Sequence, residues 1–130
     1  MSTTRAAAAA ALLTVAACAT MNDAISAKKA GTEKLYAKPC DALWPLSVRV
    51  LRDNDAGAIE ERRSEHQMLA NSSAGLFSMG TFMVVWLEPV GADRCNVTIV
   101  TKRKVATNVI TDLTETGYHD QLSKLVAGST

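Results

Sequence analysis

Histidine is nearly missing from this chain: His66 and His119 are the two in 130 residues. Neither lies at HxxxH spacing, and the three cysteines include no CxxC pair. The recurring ligand patterns of a zinc site are therefore excluded. Gly75 and Gly80 flank "LFSM", but no Lys-Ser or Lys-Thr follows them, so there is no phosphate-cradling loop. An excess of one charge is also lacking. Fourteen Lys and Arg face thirteen Asp and Glu, whereas a nucleic-acid binder needs a sustained cationic surface. "TKRKV" (Thr101–Val105) is the one dense basic cluster. It suits a solvated strand end or, alternatively, contact with anionic headgroups or another acidic surface.

Side chains for covalent or acid-base catalysis are just as sparse. "HDQLS" places His119, Asp120 and Ser123 close together. On a helix, Asp120 points about 100° away from His119, so no relay of nucleophile, base and orienting acid is built. Both histidines are expected at the surface. In "IEERRSE", Glu60 and Arg62 share one strand face while Glu61 and Arg63 share the other, a pattern of weak ion pairs rather than paired catalytic carboxylates. No enzyme activity, metal or cofactor is expected.

What the chain does have begins at its N-terminus. "MSTTR" carries one cation, and "AAAAAALLTVAA" supplies twelve small or apolar residues before Cys18. Twelve helical residues rise about 18 Å, short of the roughly 30 Å hydrocarbon core, so this is no membrane span. The regions are those of a secretory signal. Val15-Ala16-Ala17-Cys18 resembles the lipobox of bacterial lipoproteins: an aliphatic residue, two small residues, then the cysteine. The resemblance implies cleavage after residue 17 and lipidation of Cys18 with fatty acyl chains such as palmitate. The alternatives are an ordinary signal peptide with an incidental cysteine and an alanine-rich disordered leader. Two or three acyl chains make a stable membrane anchor. By the enteric sorting rule, Ala19 in place of an aspartate implies the outer membrane, facing the periplasm.

In that oxidising space Cys40 and Cys95 are candidates for a disulfide, the alternative being two buried thiols. The bridge closes about 55 residues and is worth roughly 4 kcal/mol in the chain-entropy model. "ATMNDAISAKKAGT" (19–32) has no apolar period and reads, with the lipidated Cys18, as a flexible tether over 18–32. One folded domain is expected over 33–127.

Within it, "EKLYAKP" reads as a strand. Asp41 is placed to cap a helix, "DALWPLSVRVLRDN", with Trp44, Val48 and Leu51 on one face and Leu43 and Val50 widening the stripe. Gly57 is available to end that helix in a left-handed conformation. "AIEERRSE" and "HQMLANSS" suit a hairpin joined near Glu65-His66, and "AGLFSMG" follows as a loose segment. "TFMVVWLEPV" is the strongest strand signal, and "RCNVTIVTKRKV" alternates cleanly, with Cys95, Val97 and Ile99 on one face. "TDLTETGYHDQLSKLVAG" closes the chain as a helix, its Asp112 and Glu115 resembling a capping box and its Gly117 marking an alternative start. The order β-α-β-β-β-β-α implies an α+β two-layer sandwich, a curved antiparallel sheet of four or five strands packed on two helices. That order resembles small periplasmic lipoprotein domains in which a curved sheet grips a helix, found among the accessory lipoproteins of outer-membrane assembly. It transfers no functional residue.

One stretch exceeds the needs of a half-buried strand. In Phe82–Leu87, Phe82, Val84 and Trp86 point one way and Met83, Val85 and Leu87 the other, and both sets are apolar. A sheet with helices on one side needs one set for its core. The other is covered by a partner, by curvature or by the tether. These six residues are the candidate partner-binding surface, for another envelope protein or a second copy of this one. Nearby Met68 and Met79 are adaptable contacts for such a surface. The functional expectation is a non-catalytic envelope lipoprotein with an accessory or docking role. The alternative is a binder of a small apolar ligand, lipid or peptide between sheet and helix, lined by Trp44, Trp86 and Leu122.

Overall fold

Strand β4 (Thr81–Pro89) occupies the middle of a five-stranded antiparallel sheet in the computed structural model, which describes residues 20–72, 80–104 and 114–129. The strand order is β1-β5-β4-β3-β2, with β1 at Thr32–Tyr36, β2 at Ala56–Arg62, β3 at Gln67–Ser72 and β5 at Cys95–Arg103. Strands β2 to β5 follow one another as a meander, and β1 joins the free side of β5. The two outer strands are guarded as exposed edges usually are. β1 has five residues, while β2 carries a register shift between Ala56 and Ile59 and the charged run Glu60, Glu61, Arg62.

Among the described residues, three α-helices accompany the sheet: α1 (Met21–Ser26), α2 (Cys40–Asp53) and α3 (Glu115–Gly128). The α+β class and the order of the five strands agree with the sequence reading. Helix α2 runs between the two edge strands, and α3 packs beside it on the same, inner face. There Met68, Met83, Val85, Leu87, Val97 and Ile99 are fully buried beneath Leu43, Val50 and Leu51 of α2 and Tyr118 and Leu122 of α3. Such side chains, removed wholly from water, contribute about 1.5–3 kcal/mol each.

Several local expectations shift. Helix α2 starts one residue earlier than its capping signal: Pro39 is the N-cap, and Asp41 lies in the first turn, favourable to the helix dipole, without capping. The buried stripe of α2 is centred on Ser47 rather than Val48, because the Ser47 hydroxyl bonds the Tyr118 phenol of α3 inside the core. Asp55 (φ 62°), not Gly57, takes the left-handed conformation after the helix. Helix α3 is capped by Thr114, whose hydroxyl accepts from the Gly117 N–H at 3.0 Å. Asp112, the "AGLFSMG" stretch up to Met79, and the leader with Cys18 lie outside the described residues.

Cys40 and Cys95 form a disulfide with Cα atoms 5.0 Å apart. Tyr36, the last residue of β1, pairs with Cys95 across the sheet, so the bridge clamps the β1–α2 turn onto the start of β5. Reduction, or Cys40→Ser with Cys95→Ser, should lower unfolding free energy by about 4 kcal/mol, read from urea denaturation with and without reductant. An unchanged midpoint would contradict this role.

Candidate functional site

The tether expected over residues 18–32 is folded from Thr20 onward, and this decides the fate of the candidate docking strand. Thr20 and Asp23 form a reciprocal cap. The Thr20 hydroxyl accepts from the Asp23 N–H at 3.2 Å, and the Asp23 carboxylate accepts from the Thr20 N–H at 2.7 Å. A six-residue helix has little stability alone. This one is held by what lies under it: Ala24 is fully buried, with Met21, Ile25 and Ala27 half-buried against Leu69, Val84, Trp86 and Val100. The small side chain of Ala24 lets the helix approach the sheet.

The proposed partner-binding set is therefore largely enclosed by the chain itself. Met83, Val85 and Leu87 belong to the inner core, and Val84 and Trp86 to the outer one. Phe82 alone of the six is half-buried. Lys28 closes the far end, its ammonium 2.8 Å from Glu88 and 5.6 Å from the Trp86 ring centre. Signals for α1 were present: Thr20…Asp23 has cap spacing, and Met21, Ala24 and Ile25 fall at i, i+3 and i+4. Six residues of mixed polarity were too short to stand out.

Gly31 turns the chain from the outer face to the sheet edge. A Cβ there would lie 2.7 Å from the Val100 side chain and 2.8 Å from the Ile99 carbonyl oxygen, so only glycine fits without displacing β5.

A second cluster joins β1 to α3. His119 is buried, not at the surface, because the first turns of α3 lie along β1. Its Nε2 is 2.8 Å from the Thr32 carbonyl oxygen and its Nδ1 is 2.8 Å from the Tyr36 hydroxyl. A carbonyl only accepts, so Nε2 carries the proton and Nδ1 accepts from Tyr36. Burial lowers the His119 pKa, opposed by the Thr32 bond, furthered by the Lys34 ammonium, and opposed by Glu115 and Asp120. Burial likewise raises the Tyr36 phenol, against its bond to Ser123. Tyr118 is pushed up more strongly by burial.

Lys34 donates to the Ser123 hydroxyl at 2.7 Å. Glu115 accepts from the Thr32 hydroxyl at 2.7 Å and from the Thr101 N–H at 3.0 Å, tying β1, β5 and α3 together. Both His119 nitrogens are thus spent on structure. Lys34 is exposed, and an ammonium offers Ser123 protons but no lone pair. The cluster orients β1 and α3. Asp120 is exposed beside it, and the distant His66 is exposed in the β2–β3 turn.

Two of the grooves among the described residues have partly apolar walls. One, of about 640 Å³, runs between α1 and the β2–β3 side of the outer face, bordered by Met21, Ile25, Leu69, Asn71, Glu60 and Arg62. The other, about 480 Å³, follows α2 past Trp44, Pro45, Val48, Arg52, Glu61 and Arg63. Trp44 lines it while only 4% exposed. Its indole N–H donates to Glu61 at 2.6 Å, and the Arg63 guanidinium sits 4.6 Å from the ring centre. Trp44 and Leu122 belong to the inner core and Trp86 to the outer, so these three do not line one cavity. Among the described residues, no group of three or more His, Cys, Asp or Glu is placed to hold a metal, and no helix is long and apolar enough to cross a membrane.

Two outcomes are expected. Val84→Asp and Val85→Asp should each unfold the domain, because either face buries an unpaired charge. Ala24→Asp should release α1 alone, seen as new dye-binding apolar surface with the disulfide and far-UV spectrum retained. For His119 the unfolded pKa is near 6.5 and the folded one is lower, so stability is full above about pH 6.5 and falls as the unfolded state takes up the extra proton. Denaturation midpoints should drop as the pH falls below about 7, with that part of the drop absent in His119→Gln.

No protein-family model matches the chain, and no curated protein matches it.

Proposed function

We propose that the protein is a non-catalytic lipoprotein of the bacterial cell envelope, anchored through Cys18, facing the periplasm from the outer membrane, with an accessory or docking role. The observation that carries this reading is the Cys40–Cys95 bridge. A structural disulfide persists in an oxidising compartment, and Val15-Ala16-Ala17-Cys18 is a motif that directs a chain there. The commitment of His119 and Ser123 to bonds between β1 and α3 supports a structural rather than a catalytic use of the polar residues. With β4 enclosed, a surface open to another envelope protein or a second copy is the outward side of α2, where Pro45, Val48, Arg49 and Arg52 border a groove.

A second reading, a binder of a small apolar ligand, lipid or peptide between sheet and helix, has the groove beside α1 in its favour. Met21, Ile25 and Leu69 give it an apolar floor.

Mass spectrometry of the full chain expressed in a Gram-negative host tests the anchor. The expected product begins at Cys18, carries two or three acyl chains and fractionates with outer membranes, with Cys40 and Cys95 oxidised. Cys18→Ala should remain unprocessed and lose the lipid. An unprocessed, unacylated wild-type protein with free thiols would overturn the proposal.

A further inference from the structure

The seat of α1 also fixes which surface the bilayer meets. We propose that the outer-face corner made by the N-terminus of α1, Phe82, Lys102 and Lys104 lies on the membrane surface and binds anionic phospholipid headgroups. This inference rests on the lipid anchor at Cys18 proposed above.

The first argument is chain length. Thr20 caps α1 and is two residues after Cys18, so at most about 7 Å of backbone separates an acylated Cys18 from a residue held on the sheet. Were residues 19–31 an extended leash, they could span roughly 45 Å. With Ala24 buried on the outer face, that reach is unavailable, and whatever surrounds Thr20 and Met21 stands at headgroup level.

The second argument is what surrounds them. Met21 and Asn22 share one groove with Leu69 and Asn71. Asn71 pairs with Phe82, and Phe82 with Lys102, across β3, β4 and β5. The Lys104 ammonium sits 5.2 Å from the Phe82 ring centre and donates to Asn71 Oδ1 at 3.1 Å and to the Ser72 carbonyl at 3.0 Å. Two ammonium groups, one on the exposed Lys102, therefore lie around Phe82, next to the groove that Met21 and Asn71 border. The carboxylates nearby are engaged: Asp23 in the Thr20 cap, and Glu60 with Arg62 at 2.8 Å. A half-buried aromatic ring between lysines suits the interfacial layer. Each lysine held near an anionic bilayer favours contact about fivefold. The α2–α3 layer then faces the aqueous space.

The test uses the full chain made as a lipoprotein and reconstituted into vesicles of phosphatidylcholine, with or without phosphatidylglycerol. Lysines are acetylated for short times and their peptides quantified by mass spectrometry. Lys102 is expected to label about fivefold more slowly on phosphatidylglycerol vesicles than on phosphatidylcholine alone, with high salt restoring the rate. Lys124, exposed on α3, should label equally on both. The variant Lys104→Gln, folded by circular dichroism, should reduce the difference at Lys102. Equal labelling of Lys102 on both vesicles, in protein that floats with lipid and whose Cys18 peptide is acylated, overturns this proposal and leaves the anchor standing. Protein with no acyl chain that does not float overturns the anchor, and this proposal falls with it.

Discussion

Burial of β4 on both faces is the constraint from which the rest of the architecture follows. Met83, Val85 and Leu87 on one side and Val84 and Trp86 on the other leave no solvent-tolerant face. A sheet with such a strand at its centre needs cover above and below. On the inner side α2 and α3 supply it with long apolar stripes. On the outer side the cover is one short helix whose Ala24 touches down between Leu69, Val84, Trp86 and Val100. The N-terminal segment is therefore part of the fold.

The β1 edge is held by different means. β1 has five residues, and just one of them, Tyr36, is buried, so apolar packing alone secures it weakly. Three ties compensate. The Cys40–Cys95 bridge fixes the turn that follows the strand, His119 joins its first carbonyl to its last side chain, and Glu115 spans it and β5. The bridge acts mainly on the unfolded chain, by shortening its loop, while the hydrogen bonds act in the folded state. Polar residues that in sequence suggest chemistry are, in the fold, the fastenings of an edge strand.

These two arrangements bear on function together. The lipobox-like motif and the disulfide support an envelope address. On the proposed anchor, the seated α1 sets an orientation, with the outer face toward the lipid and the α2 side toward the periplasm. The proposed docking role then falls to α2 rather than to β4. The groove beside α1 lies close to the proposed anchor, where a lipid-like ligand would be near at hand.

Much of the fold was legible along the chain. Alternation in "RCNVTIV" and the doubly apolar "FMVVWL" placed β5 and β4 and assigned their faces, because strand side chains alternate with period two. The two later cysteines, with an oxidising address expected, pointed to their bridge. Residues 20–32 were harder to read. A short helix is stabilised by the surface beneath it and not by its own propensity, so its presence depends on Leu69, Val84 and Val100, far away in sequence. The same holds for His119. Local polarity placed it at the surface, yet it is buried because its partners, Thr32 and Tyr36, lie more than eighty residues earlier. The sequence by itself determined the strands, the two long helices and the cysteine pair, since periodicity and residue type are local. The tertiary structure alone decided what covers the second face of β4 and which polar groups become fastenings, since both depend on surfaces that exist after the chain has closed on itself.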